Sequence, residues 1–250
     1  MIRSGPDPTI LLVENATVVF DGFKALDIER FAVGRNDVRV VIGPNGAGKT
    51  TLCDAISGKT RLRSGHIHFD GEDISRLKDF EIARRGVGRK FQTPSVFGSL
   101  TVRETLQLAG ETSRTVLSSV FRGPSPEADR MALEVAEAVE LGDLTDIQVR
   151  FLSHGQRQAL EIGTLLVSGR RLLLIDEPAA GLSDQETAAM SRLLRKLAGQ
   201  HTVIVIEHDM DFVRQLDAEI TVLNEGRILA EGPMSVVQSD PRVIEAYLGR

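Results

Sequence analysis

The chain has 250 residues, is 42% hydrophobic and 26% charged, and carries a net charge of −5 with a pI of about 5.6. This is the make-up of an ordinary globular protein, long enough for one large domain or two small ones, and it lacks the basic footprint of a nucleic-acid binder. The one cysteine, Cys53, excludes an intrachain disulfide.

The longest purely apolar runs, such as Leu172 to Ile175, fall far short of the ~20 residues of a membrane span. The start MIRSGPDPTI has no apolar stretch for a signal peptide. The expected location is therefore the cytosol, unless the chain is recruited to a membrane from outside. The basic residues Arg84, Arg85, Arg89 and Lys90 are expected on a solvated face or at a partner contact.

Taken in order, ILLVENATVVF (10–20), ALDIERFAV (25–33) and VRVVI (38–42) are short β-rich runs separated by Asp21-Gly22 and Gly34-Arg35-Asn36-Asp37 turns. They predict a small antiparallel layer feeding one further strand. Phe20 and Phe23 flank the first turn; each is expected in the core, or one of them stacks on a flat ligand ring.

The run at 38–42 leads into GPNGAGKTT, with Gly43, Pro44, Asn45, Gly46, Ala47, Gly48, Lys49, Thr50 and Thr51. The glycines let the backbone curl and aim N–H groups at phosphate oxygens, beside the positive end of the following helix. Lys49 is expected to reach the β and γ phosphates, and the Thr50 hydroxyl to ligate Mg²⁺. A strand before and a helix after are the context this motif requires, so the chain is expected to bind a nucleoside triphosphate.

Ile67 and Phe69, then Asp70-Gly71, predict a strand and turn. His66 and His68 fall on one strand face, more in keeping with an exposed polar surface than with a metal pair. After GRKFQ (88–92) helical signals take over. Thr101 with Glu104 forms a capping box, Ser125-Pro126 starts a helix, and Met131, Val135, Ala138 and Val139 recur at helical spacing before a stop at Gly142. A helical insert over roughly 93–165, interrupting a single α/β core that spans 1–250, is the expected organisation.

LSHGQRQALEIG (152–163) follows. Ser153 and Gln156 fit a capping box. The same residues could form a second phosphate-binding helix start, with the Ser153 hydroxyl, the Gly155 amide and the positive helix end facing an anion. Two such sites but one complete pocket would be reconciled by a head-to-tail pair of chains, each giving Ser153 and Gly155 to the nucleotide on its partner's Lys49.

The last third restores alternation: a buried strand at Leu172 to Ile175, a helix capped by Ser183 and Glu186 and ended by Gly199, and a second buried strand TVIVIE (202–207). This predicts a parallel sheet covered on both faces. A hairpin turning at Asn224 to Gly226 and a short helix near Val243 to Leu248 close the chain. Asp176 and Glu177, at the end of an apolar strand, suit magnesium binding and polarisation of an attacking water. His208, at the end of the next strand, suits either a cap or a hydrogen bond to the γ-phosphate.

With GPNGAGKTT, Gln92, LSHGQ, LLLIDEP and His208 in this order, the chain resembles an ABC-type ATPase over essentially its whole length. The resemblance implies ATP and Mg²⁺ as cofactors and a P-loop core with an antiparallel β layer and a helical subdomain. It also implies two cassettes sandwiching two ATP molecules, with Phe20 stacking on adenine. Gln92 is then a catalytic and metal-contacting residue near the membrane subunits, and Gly181 to Asp184 form a dimer-facing loop. The implied partners are a second cassette, identical or related, two transmembrane permeases and, indirectly, an external solute-binding protein, with the chain peripheral on the cytoplasmic face of the plasma membrane.

RKFQTPSVFGSLTV, LSHGQRQ, VIEHDM and DPRVIEAYLG are most similar to the branched-chain amino acid and amide uptake branch, and within it to urea importers. Urea or short amides are thus the expected cargo, with branched-chain amino acids as the alternative. Two positions depart from the wider family: His154 stands where glycine is usual, and Gly-Leu-Ser-Asp where Ser-Ala-Leu-Asp is commoner. A soluble ABC ATPase of DNA maintenance or translation is the competing class, but it would carry a long coiled coil or two cassettes. A GTPase or small-molecule kinase would need an Asn-Lys-x-Asp sequence or a lid, and neither is apparent.

Overall fold

Strands β1 (Thr9–Phe20) and β2 (Phe23–Gly34) form a long antiparallel hairpin in the computed structural model, which describes residues 9–90, 96–110 and 125–248. Asp21 and Gly22 both have positive φ (47° and 85°), the requirement of a tight two-residue hairpin turn. On its other edge β1 pairs with β4 (Ser64–Phe69), which pairs with β5 (Glu72–Asp73). An extra residue in β1 between Glu14 and Thr17, with Asn15 at φ 48°, shifts the register against β4. The buried side chains accordingly change from Leu11 and Val13 to Ala16 and Val18.

The second sheet has six strands: β3 (Val38–Ile42), β6 (Val87–Lys90), β7 (Leu172–Asp176), β8 (Thr202–Ile206), β9 (Glu219–Asn224) and β10 (Arg227–Gly232). Their order is β10-β9-β3-β8-β7-β6, parallel throughout except for β10. A strand buried on both faces sends alternate residues to two cores. Leu172, Leu174, Ile204 and Ile206 join the antiparallel layer and α1 (Lys49–Ile56) in one; Leu173, Ile175, Val203 and Val205 join most of the other helices in the second.

That second core is closed by α3 (Val102–Gly110), α4 (Pro126–Ala138), α5 (His154–Val167), α6 (Asp184–Leu197) and α7 (Met210–Leu216). A short α2 (Asp79–Arg84) packs on the first, and α8 (Met234–Val237) and α9 (Pro241–Leu248) follow β10. Among the described residues no helix is long and apolar enough to cross a membrane.

Two expectations need correction. Helix α4 ends at Ala138, ahead of Gly142, because Glu140 takes the left-handed conformation (φ 61°) and the Leu141 amide donates back to the Ala136 carbonyl at 2.8 Å. This is a glycine-type helix ending made by a glutamate. Arg89 and Lys90 are not on a solvated face: their side chains are 7% and 9% exposed on the edge strand β6, and they are neutralised by Asp54 and by Glu161 (3.4 Å), as buried charges must be. Arg85 lies at the surface and pairs with Glu72 at 2.8 Å.

Candidate functional site

Three parallel strands end side by side, and the candidate residues sit on the loops that leave them. β3 pairs with β8 and β8 with β7, with Val41 opposite Ile206 and Ile206 opposite Asp176. Gly43 to Gly48, Asp176 with Glu177, and His208 are therefore delivered to one carboxyl edge, where open α/β sheets place ligands.

The loop from Gly43 to Gly48 is wedged against other backbone, which explains its glycines. A Cβ at Gly43 (φ 154°) would lie 2.2 Å from the Leu223 carbonyl oxygen, and one at Gly48 (φ 100°) 2.9 Å from that of Ala25. The β9–β10 turn buttresses it from below: the Gly226 amide donates to the Ala47 carbonyl at 3.0 Å, and the Asp27 amide to the Gly226 carbonyl at 2.8 Å. Lys49 Nζ donates to the carbonyls of Gly43 (2.7 Å) and Pro44 (3.0 Å). Partial burial lowers the Lys49 pKa, and Glu177 and Asp176 oppose that shift.

A cleft of about 320 Å³ brings together Phe20, Phe23, Asn45 to Thr51, Asp176 and Glu177. Its volume is that of a small-molecule site. Neither phenylalanine is a core residue: Phe20 and Phe23 are 48% and 69% exposed and pair across the hairpin turn at the mouth of the cleft. Thr50 is exposed on the first turn of α1 and Thr51 is half-buried. Cys53, by contrast, is buried on the inner side of α1, where desolvation pushes its thiol up to about 12 and leaves it inert.

Asp176 is 8% exposed, and its Oδ2 is buried and accepts no hydrogen bond. The Arg89 guanidinium is 3.9 Å from that oxygen. Burial raises the Asp176 pKa, and Arg89 opposes the rise. A buried carboxylate oxygen without a hydrogen bond, in one cleft with a threonine hydroxyl, is a fitting hard-oxygen donor set for Mg²⁺, which prefers one or two protein ligands completed by water and phosphate oxygens.

Glu177 has φ 48°, a costly conformation for a residue other than glycine, held by its amide donating to the Ile206 carbonyl at 2.9 Å. This turns its carboxylate toward the cleft and toward His208, whose Nδ1 is 3.5 Å away. Gln92 lies outside the described residues.

Ser153, Gly155 and Gln156 do not line this cleft; they line another, together with Glu186. Ser153 caps α5 by accepting from the Gln156 amide, and the Gln156 side chain accepts from the Ser153 amide at 2.9 Å. The Ser153 hydroxyl donates to Glu186 Oε1 at 2.6 Å, and the Gly155 amide donates to the same oxygen at 3.1 Å. His154 turns to the loop after Glu177, its Nε2 being 3.2 Å from the Ala180 carbonyl oxygen. Asp184, expected in that loop, is the first residue of α6.

The sequence reading missed Glu207. Its side chain is 1% exposed and accepts hydrogen bonds from the amides of Ala179 (2.9 Å), His208 (3.0 Å) and Asp209 (3.4 Å). One buried carboxylate thus ties the loop after Glu177 to the loop bearing His208. A charged residue ending an otherwise apolar strand was the available signal.

Fold and site together define a P-loop ATPase cassette. The "ABC transporter" family matches residues 26–180, and the "Branched-chain amino acid ATP-binding cassette transporter" family matches residues 227–250. The chain is 37% identical to the high-affinity branched-chain amino acid transport ATP-binding protein BraF of Pseudomonas aeruginosa, over 96% of this chain and 98% of that one. It is 33% identical to the corresponding LivG of Escherichia coli, with the same coverage. Among solved structures, the ADP conformation of an ATP-binding cassette of an ABC transporter superposes with a TM-score of 0.84 at 34% identity, covering 97% of this chain and 99% of that one. A nucleotide-free cassette gives 0.83 at 33% identity, covering 97% and 100%.

The chain belongs to the ABC transporter family, as an ATP-binding, ATP-hydrolysing subunit. Within that family it stands in the branch that holds BraF and LivG.

Proposed function

We propose that this chain energises the import of branched-chain amino acids, as one of two cassettes held at the cytoplasmic face of the plasma membrane by two permease subunits and supplied by an external solute-binding protein. The observation that carries this is the similarity to BraF and LivG over 96% of the chain. Urea and short amides remain the second cargo, supported by the sequence LSHGQRQ and its neighbours.

In this reading the backbone amides from Gly43 to Thr51 cradle the phosphates of ATP, Lys49 neutralises the β and γ groups, and Phe20 stacks on the adenine. Thr50, Asp176 and Gln92 would hold Mg²⁺, which supplies charge neutralisation at the transferred phosphate. Glu177 orients and polarises the attacking water, and His208 steadies Glu177 and contacts the γ-phosphate. Ser153, Gly155 and Gln156 complete the nucleotide site of the partner cassette, so closure of the pair follows ATP binding and reopening follows hydrolysis.

Uptake of labelled leucine, urea and a short amide by cells with and without this chain tests the cargo. Loss of leucine uptake alone is the expected result. Loss of urea or amide uptake with leucine unchanged would replace the proposed cargo.

A further inference from the structure

The carboxylate of Glu186 occupies the position of an anion at the start of α5. Two donors, the Ser153 hydroxyl at 2.6 Å and the Gly155 amide at 3.1 Å, converge on its Oε1. Helix α5 runs for fourteen residues, so its positive end adds to their pull on a negative group. The side chain fits there because residue 155 is glycine: a Cβ at that position would meet Cβ, Cγ and Oε1 of Glu186, each at 3.0 Å. The other oxygen, Oε2, accepts from the amide (3.1 Å) and hydroxyl (3.0 Å) of Ser183, which closes the loop running from Glu177. These hydrogen bonds hold the Glu186 pKa well down, at about 2, so the group is an anion under all ordinary conditions.

We propose that Glu186 is a built-in stand-in for the partner's γ-phosphate: it satisfies Ser153 and Gly155 in the single chain, must release them when two chains close on ATP, and so sets the ATP concentration at which closure occurs. This rests on the reading that Ser153 and Gly155 complete the partner's nucleotide site. Two anions cannot share one pair of donors, so the carboxylate and the incoming phosphate compete. Because Glu186 is also joined to Ser183, its release loosens the loop after Glu177 at the moment the pair forms.

The test compares Glu186→Gln with the parent in a Glu177→Gln background, following ATP-dependent dimerisation by size-exclusion chromatography with light scattering. Glutamine keeps the capping box on α6, since its side-chain oxygen still accepts from Ser183, but it removes the charge that strengthens the hold on Ser153 and Gly155. The half-maximal ATP concentration for dimerisation should fall about fivefold, the difference between a charge-assisted and a neutral hydrogen bond. ATP binding to the monomer, read by a fluorescent analogue, should be unchanged.

A merely structural role would weaken dimerisation or leave it alone, and either result overturns the proposal. Ser153→Ala separates the two claims. If it abolishes dimerisation while Glu186→Gln has no effect, only the stand-in role fails; if it leaves dimerisation intact, the shared nucleotide site itself fails.

Discussion

His208 Nδ1 stands 3.5 Å from Glu177 Oε1, on loops leaving the neighbouring strands β8 and β7. The contact brings a carboxylate and an imidazole together at the edge of the cleft that holds Lys49, and the proposed function has them aim a water at a phosphate. Glu177→Gln keeps the shape and removes the carboxylate that is proposed to polarise the attacking water. It should bind ATP and support dimerisation while hydrolysis falls by at least about a hundredfold. His208→Ala should lower turnover with little change in ATP affinity. Phosphate release and equilibrium binding of a fluorescent ATP analogue check both.

In the proposed function Asp176 is a ligand of Mg²⁺. Its buried Oδ2 has no hydrogen-bond donor of its own, so removing the charge should weaken the effect of Mg²⁺ and spare binding of the free nucleotide. Asp176→Asn is expected to bind ATP equally with and without Mg²⁺, whereas the parent binds more tightly when the ion is present. Chelation with EDTA should abolish turnover in the parent. Calorimetric titrations at several Mg²⁺ concentrations provide the measurement.

Phe20 and Phe23 leave apolar area at the surface, and in the proposed function a stacked base covers that of Phe20. Stacking on an aromatic ring is worth about 1–3 kcal/mol per base, so Phe20→Ala should weaken ATP binding by roughly tenfold. Inorganic triphosphate, which has no base, should bind both forms equally.

Glu207 is the structural tie between the loops that carry Glu177 and His208. Glu207→Ala would leave the amides of Ala179, His208 and Asp209 without their acceptor, with a cost of about 1–3 kcal/mol for each group that water cannot reach. The thermal midpoint should drop by on the order of 10 °C. Turnover should fall further than ATP binding, because both Glu177 and His208 lose their anchor.

Much of this was legible in the chain because local rules and the global fold agree. The glycine spacing before Lys49 has one physical use, the wholly apolar run before Asp176 marks a strand covered on both faces, and Ser153, Ser183 and Thr101 each announce a helix start with an acidic or amide residue three positions on. The illegible features depend on contacts distant in sequence. Arg89 and Lys90 read as surface charge because their partners, Asp54 and Glu161, lie 35 and 71 residues away. Glu140 ends α4 in a conformation that local propensity assigns to glycine. The exposure of Phe20 follows from the hairpin's place beside the phosphate loop, and the reach of Glu186 to Ser153 from the packing of α6 on α5.

In the proposed function one chain's Lys49 and another chain's Ser153 act on the same nucleotide. Lys49→Ala and Ser153→Ala should each be inactive alone, yet a mixed dimer of the two contains one site with both residues intact. Mixing the purified variants in equal amounts and measuring ATP-driven phosphate release tests this directly. Hydrolysis should reappear on mixing. A mixture that forms dimers and stays as inactive as either variant alone would contradict it.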